Sequence, residues 1–365
     1  MLNRVNVKLQ MASEIAPPEA NEAEGCVQCQ RGSKLVLFVT GRCHWGCDYC
    51  PLSENRRETP DMFANERRCK SFDEVIEEGR AMRATGTGIT GGDPMLDFKK
   101  TVEAVKSLKD AFGPEHHIHC YTSIPIKPGQ AKELGEAGLD ELRFHLLDLS
   151  LDRYRESVNA ASEAGICVGI ELPAEPDKDE KMHALLLELH DSPVEFLNLN
   201  ELEITVGNQH NMDVRGFNLA GGITAAAEGS AALAIELKQA AEELNFHVKF
   251  CTASYKDAGQ LRSRFRRRGE ATLRPYEVLS EDDTILFGAI PCSLEDAADD
   301  MNELTEYLQL HENWIRFDGS TRRIEIPLSA AEDIASHLTV PVLMVEVHPT
   351  HERLEVGVVN LNQYR

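Results

Sequence analysis

The sequence predicts an α/β protein: a partial (β/α)6–7 barrel of the TIM-like kind over residues 34–269, followed by a small α+β domain over residues 270–365. Three observations predict it. From residue 34 onward, short apolar runs alternate with stretches of helical period, the pattern of a parallel sheet with helical crossovers. From about Glu270 that rhythm gives way to closely spaced strands around two short helices. Between the first apolar run and the first helix stand Cys43, Cys47 and Cys50, at the C-terminal end of a strand, where barrel-type folds carry their active sites.

The elements follow in order. The first strand covers residues 35–39. The first helix opens at Ser71, which with Glu74 forms a capping box, and Phe72, Val75, Ile76 and Met82 supply its apolar stripe. Strand two covers 88–90, and helix two carries Phe98, Val102, Val105 and Leu108 at helical spacing. Strands three and four cover 117–121 and 141–146. A helix from about Leu151 ends at Gly165, which suits a left-handed cap. Strands five and six cover 166–172 and 195–203; a Gly-rich loop over 216–229 precedes an Ala-rich helix through Leu244. Strand seven (247–251) and a helix to about Arg268 complete the repeat. The C-terminal domain is expected to hold strands at 284–290, 314–317, 323–326, 342–347 and 354–359, with Asp318-Gly319 as a hairpin turn.

Composition narrows the function. A formal charge of −23 argues against long-range attraction to nucleic acid or an anionic membrane. Residues 1–33 read as an N-terminal extension; their first part mixes charges with Pro17-Pro18 and lacks the apolar core of a secretory signal. No apolar run reaches membrane-spanning length. A cytoplasmic, reducing compartment is therefore expected, in which clustered cysteines bind metal or do chemistry rather than form disulfides.

The stretch Gly41-Arg42-Cys43-His44-Trp45-Gly46-Cys47-Asp48-Tyr49-Cys50-Pro51 places three cysteines at C-x3-C-x2-C. A [4Fe–4S] cluster normally takes four thiolates, so three leave one iron open. A structural zinc site usually closes with a fourth ligand, and His44, adjacent to Cys43, is poorly placed to chelate with it. The spacing, with aromatic Tyr49 before the last cysteine, resembles the signature of the radical S-adenosylmethionine (radical SAM) enzymes. That resemblance implies a barrel of the radical SAM type, a [4Fe–4S] cluster on Cys43, Cys47 and Cys50, and SAM as cofactor. Its methionine end would chelate the open iron, and an electron from a reductant such as ferredoxin or flavodoxin would break the C5′–S bond.

Thr90-Gly91-Gly92-Asp93-Pro94 is similar to that family's Gly-Gly-Glu-Pro segment with Asp replacing Glu. The resemblance implies that its backbone carbonyls and acidic side chain hold the cofactor's ammonium; the alternative is a tight turn. Glycine suits either role, because a missing Cβ permits close approach. By the same resemblance Tyr121, Thr122 and Ser123 bind ribose or the methionyl carboxylate, and Glu171 contacts adenine and ribose. Arg143 and His145 share one face of strand four, and either hold the cofactor's carboxylate and ribose or pair with acids of neighbouring strands.

Other candidates lie outside those motifs. Asn198 and Asn200 on one face of strand six, with Glu201 near the rim, read as substrate contacts, the alternative being an internal hydrogen-bond network. Cys26 and Cys29 form a C-x2-C half-site for an auxiliary cluster or zinc, or a redox pair, with Cys251 and also Cys292 as further candidate ligands; both of these also read as free core thiols. Cys69, Cys120 and Cys167 read as small buried hydrophobes. Arg262, Arg264, Arg266, Arg267 and Arg268 either hold a phosphate-bearing or RNA substrate or complement the end of a helix. His116, His117 and His119 are read as packed or solvated side chains, because no acidic partner sits at chelating spacing in the local sequence.

The whole layout is similar to archaeal-type radical SAM proteins related to pyruvate formate-lyase activating enzyme. It implies an enzyme that cleaves SAM reductively and abstracts hydrogen from a substrate bound over strands four to six. The C-x2-C pair and the C-terminal domain depart from simple activases. Installation of a glycyl radical on a partner enzyme, and modification of RNA or a small molecule, stay open as alternatives. So does a non-catalytic iron–sulfur or zinc-binding regulator. No membrane partner is expected.

Overall fold

The computed structural model describes residues 22–222 and 224–364. Residues 1–21 of the N-terminal extension lie outside the described residues. The first sheet has nine strands in the order β3-β2-β1-β4-β5-β6-β7-β8-β9. Its parallel members are β1 (Lys34–Phe38), β4 (Gly86–Thr90), β5 (His117–Thr122), β6 (Glu141–Phe144), β7 (Cys167–Ala174), β8 (Phe196–Glu201) and β9 (His247–Cys251). Their sequential order follows from crossovers by the helices Phe72–Ala81, Phe98–Phe112, Pro128–Ala137, Arg155–Glu163, Asp179–His190 and Ser230–Glu243. Ser71 caps the Phe72–Ala81 helix, its hydroxyl accepting from Glu74 N, while the Glu74 carboxylate accepts from Lys70 N rather than closing the box on Ser71 N. Gly165 adopts φ +77°, the left-handed conformation expected after the Arg155–Glu163 helix.

Several elements were not anticipated. The short antiparallel strands β2 (Met62–Ala64) and β3 (Arg67–Cys69) extend the sheet beyond β1. The Pro128–Ala137 helix is set by Pro at its start and by left-handed Gly138 after its end. Cys26 and Cys29 lie on a helix, Glu24–Gln30.

Strand alternation divides the sheet chemically. Leu35, Leu37, Ile89, Ile118, Leu142, Val168, Ile170, Leu197 and Val248 point to the helices and form one core with Val105, Leu108, Leu134, Leu186 and Leu237. The opposite face is polar. In register across it run Gly88, His119, Glu141 and Cys167; then Tyr121, Arg143, Gly169, Phe196 and His247; then Glu171, Asn198 and Lys249; then Asn200 and Cys251. The Glu24–Gln30 helix packs onto this polar face. A Cβ on Gly25 would lie 2.5 Å from His119 Nδ1 and 2.8 Å from Arg143 Nη2. A Cβ on Gly86 would collide with Gln28.

The second sheet is antiparallel. It runs β12 (Arg316–Asp318), β13 (Arg323–Ile326), β11 (Ile285–Pro291), β14 (Leu343–Val347) and β15 (Glu355–Asn360), with β10 (Val278–Leu279) pairing β11. The expected hairpin after Asp318 joins β12 to β13. Helices Ala297–Leu308 and Leu328–Ile334 pack over a separate core that includes Ile290, Ile324, Ile326 and Val342.

The arginine run lies on the helix Arg262–Thr272 and is engaged internally. Arg262 and Arg266 pair with Asp283, Arg264 with Glu66, and Arg267 donates to the Met82 and Arg83 carbonyls. Buried Arg268 reaches Glu78 Oε1 at 2.7 Å, Glu78 Oε2 at 3.0 Å and Pro349 O at 3.0 Å, joining the first sheet's layer to the second unit. Removing one partner leaves a buried charge without a counter-ion, so Arg268→Ala is expected to lower unfolding stability by about 3–5 kcal/mol, read by denaturant titration. A loss below ~1 kcal/mol would show that this pair does not hold the two units together.

Candidate active site

The cysteine loop is not loose. Beyond the last residue of β1 the parallel ladder continues: Val39 N donates to Thr90 O at 2.9 Å, Gly92 N to Thr40 O at 2.7 Å and Asp93 N to Arg42 O at 2.7 Å. The two backbones can come this close because Gly91 and Gly92 have no Cβ; one on Gly91 would strike the Thr40 carbonyl and one on Gly92 the Arg42 carbonyl. Lys100 Nζ adds a bond to Val39 O at 2.7 Å. On the far side, Gly41 N donates to Thr59 O and Glu58 N to Gly41 O.

Asp93 is almost fully buried, and its carboxylate accepts from Thr122 Oγ1 at 2.8 Å, Ser123 N at 2.8 Å and Met95 N at 3.0 Å. Burial pushes its pKa up, opposed by these bonds. Three of the roughly four acceptor positions of a carboxylate are therefore taken by the protein. Asp93 and Thr122 tie the end of β4 to the end of β5, and Thr101 Oγ1 donates to Pro94 O at 2.8 Å.

The exit of the cysteine loop is held by residues that the sequence did not single out. Asn208 Nδ2 donates to Tyr49 O at 2.9 Å and Asn211 Nδ2 to Asp48 O at 3.3 Å, from the start and body of the Gln209–Val214 helix. Both are ordinary helix-start residue types, so nothing local marked them. The Tyr49 hydroxyl lies 2.6 Å from His145 Nε2, and His145 Nδ1 lies 2.9 Å from Glu171 O. A carbonyl only accepts, so Nδ1 carries the proton and Nε2 accepts from Tyr49. Burial lowers the His145 pKa and keeps this imidazole neutral.

The three loop thiols are free, half-buried and unpaired by disulfide. Burial raises Cys43 and pushes Cys47 up to about 11. Among the described residues, the one set of three or more His, Cys, Asp or Glu side chains with all ligand atoms within 4.8 Å of one another is His117, His119 and Glu141. Three free thiols on one loop at the end of β1 are a donor set that suits an iron–sulfur cluster with one position left open.

Below the mouth the predicted residues form one network. Arg143 is buried and donates to Glu141 Oε1, to Glu171 Oε2 at 2.6 Å and to Cys26 Sγ at 3.3 Å, between the rings of Tyr121 and Phe196. Burial would raise the Glu171 pKa, but Arg143 and the side chains of Asn198 and Asn200 outweigh it and hold the carboxyl below its usual range. Asn200 Nδ2 reaches Glu171 Oε1 at 2.9 Å, and Asn198 Oδ1 accepts from Cys251 Sγ at 3.4 Å. Glu201 lies off this network, its Oε2 accepting from Ala253 N at 2.7 Å.

Cys26, Cys29 and Cys251 approach this network from the Glu24–Gln30 helix and the end of β9. Burial raises all three thiols, Cys29 up to about 11. Cys292 lies elsewhere, in the second unit, where its thiol donates to Asp300 Oδ2 at 3.1 Å. His116 packs as expected, its ring stacked on Phe112 and its Nε2 2.8 Å from Thr87 Oγ1. For His117 and His119 the expectation is corrected. Glu141 stands opposite His119 on the neighbouring strand, 3.5 Å from His117 Nε2 and 3.9 Å from His119 Nδ1, a partner that local spacing could not reveal.

No helix among the described residues is long and apolar enough to cross a membrane. The family model of the radical SAM superfamily matches residues 37–186, which include the cysteine loop, Thr90–Pro94, Arg143 and Glu171. A Methanocaldococcus jannaschii protein bearing the name "Putative glycyl-radical enzyme activating enzyme MJ0021" is 35% identical over 350 residues, covering 91% of this chain and 91% of that protein. A biotin synthase from Chromobacterium violaceum is 33% identical over 132 residues, 34% of this chain and 38% of its own. Among solved structures, Streptococcus suis SuiB bound to S-adenosylmethionine aligns with a TM-score of 0.43 and 13% identity over 60% of this chain and 50% of SuiB, so the chain spans about half of that protein. A relative 35% identical along 91% of both chains, together with the family match over the cysteine loop, makes this chain an enzyme of the radical SAM superfamily.

Proposed function

We propose that Cys43, Cys47 and Cys50 hold a [4Fe–4S] cluster with one iron open to SAM, and that the enzyme cleaves SAM reductively to take a hydrogen atom from its substrate. The observation that carries this reading is the placement of three free thiols on a loop whose backbone is paired to Thr90–Asp93. When bound, the cluster would supply the one electron that breaks the cofactor's C5′–S bond, drawn in turn from a reductant such as ferredoxin or flavodoxin.

The chain's own residues supply position and exclusion. Thr90, Gly91, Gly92 and Pro94 edge the mouth beside the loop, and their backbone offers acceptors to the cofactor's ammonium. Asp93 and Thr122 hold that edge rigid rather than reaching into the site. Tyr49 and His145 form a neutral, hydrogen-bonded wall on the ribose side. Arg143, Glu171, Asn198 and Asn200 make the polar floor, with the two opposite charges neutralising each other in a dry setting. Glu201 is tied to the backbone beyond β9, a positioning contact rather than a substrate contact.

A second reading is favoured by the Methanocaldococcus jannaschii relative's name: the hydrogen is taken from a backbone glycine of a partner enzyme. The Glu24–Gln30 helix lies on the polar face of the sheet, which directs a substrate to the open rim where a partner's loop can enter. The arginine run, engaged internally, lends no support to an RNA substrate. A second cluster or zinc on Cys26 and Cys29, with Cys251, would have to displace the contacts of Arg143 and Asn198.

Anaerobic, reduced protein is expected to carry about four irons per chain and to release 5′-deoxyadenosine from SAM. Cys47→Ala is expected to lose both, and Cys26→Ala/Cys29→Ala to keep its iron; a fully loaded, reduced protein that releases no 5′-deoxyadenosine would overturn the reading. Gly92→Ala forces the Arg42 carbonyl away and shifts the loop, so 5′-deoxyadenosine release is expected to fall about 100-fold while the melting temperature of the cluster-free chain changes little. For the activase reading, electron paramagnetic resonance of an added glycyl-radical enzyme is expected to show the glycyl doublet only with SAM and reductant present. SAM cleavage without that signal in the partner would remove the second reading and leave the first.

A further inference from the structure

We infer that His117, His119 and Glu141 form a separate site for one divalent transition-metal ion, of the zinc or ferrous class, on the polar face of the first sheet beneath the cysteine loop's network. The two histidines alternate on β5 and so face the same side, and Glu141 stands on β6 in register with His119. Glu141 Oε2 lies 3.5 Å from His117 Nε2, and Glu141 Oε1 lies 3.9 Å from His119 Nδ1. Ligands about 2.1 Å from a tetrahedral ion stand about 3.4 Å apart, so small side-chain movements close the shell. Two imidazoles and one carboxylate are the donor set of both catalytic zinc sites and non-haem ferrous sites.

A second observation points to an occupant. His119 is buried, and its Nδ1 has no hydrogen-bond partner. An orphaned nitrogen in a dry interior costs free energy unless something else ligates it. Gly25, on the helix that covers this floor, leaves the approach to that nitrogen clear, since a Cβ there would sit 2.5 Å from it. Arg143 takes Glu141 Oε1 and leaves Oε2 for an ion. Lys34 Nζ lies 2.8 Å from His117 Nδ1, the ring nitrogen other than the one near Glu141.

The site is tested on the full chain carrying Cys43→Ala/Cys47→Ala/Cys50→Ala, which removes the loop thiols and leaves the floor untouched. Titration of the metal-free protein with Co2+ and Zn2+ is expected to give one saturable site, with d–d absorption for Co2+. His119→Ala and Glu141→Gln are each expected to weaken it at least tenfold, with melting curves of the metal-free variants confirming the fold. X-ray absorption of the zinc-loaded protein needs no floor variant. It is expected to show a nitrogen and oxygen shell at about 2.0–2.1 Å. A sulfur shell at about 2.3 Å, or binding lost in Cys26→Ser/Cys29→Ser and kept in His119→Ala, assigns the ion to the thiols and overturns the proposal. So does the absence of a saturable site.

Discussion

The backbone pairing of Thr40 and Arg42 with Gly92 and Asp93 is the constraint on which the rest of the site depends. A loop of eight residues from Cys43 to Cys50 has no regular structure of its own to hold three thiols in place. It is held because the β1–β4 ladder does not stop with the strands but runs on into the loop's entry. The Asp93 carboxylate then carries the constraint sideways, through Thr122 and Ser123, to the end of β5. Asn208 closes the other end from a segment 159 positions away in sequence. The thiols thus inherit the rigidity of the sheet, which is what a site needs when a misplacement of about 1 Å is costly.

The same sheet that holds the loop carries its buried charge on one face only. The helix-facing side is a continuous hydrocarbon core, and the inner side gathers Lys34, His117, His119, Glu141, Arg143, Glu171 and Lys249. Ions in such a place persist only when they are paired. Arg143 is the centre of that pairing, with a carboxylate on its own strand and another on β7. Of the two readings open for Arg143, cofactor contact or pairing with acids of the sheet, the structure shows the pairing, with Glu141 and Glu171.

What the sequence made legible is what is local in it. The triad, the Gly-Gly-Asp-Pro segment, the Ser71 cap and the alternation of strands with helices all lie within a few residues of themselves, and the parallel order of the strands follows from the crossovers. What stayed hidden is non-local. Glu141 faces His119 only because β5 and β6 pair in that register. Arg268 finds Glu78 across 190 residues, so a run of arginines that looked available to phosphate is structural. The Glu24–Gln30 helix is seven residues long, carries a glycine and two cysteines, and so lacks the periodic stripe by which longer helices announce themselves. The acid of Gly-Gly-Asp-Pro was visible, but its direction was not: a motif gives residue type and order, while two of the three donors around Asp93, Thr122 and Ser123, come from the end of β5 and the residue after it.

The two cysteine motifs show how far surroundings override residue type. Cys26 and Cys29 stand one helical turn apart on a covered helix, where their directions are fixed and where Arg143 already donates to Cys26. Cys43, Cys47 and Cys50 stand, half-buried and free, on a loop at the end of β1. Burial pushes thiols up in both places, to about 11 at Cys29 and at Cys47 alike, so acidity does not separate them. Geometry does. A cluster takes thiolates from several directions, which an irregular loop can supply and two residues one turn apart on a short helix do not. The floor beneath has a different arrangement, two imidazoles and a carboxylate from neighbouring strands whose ligand atoms all lie within 4.8 Å of one another.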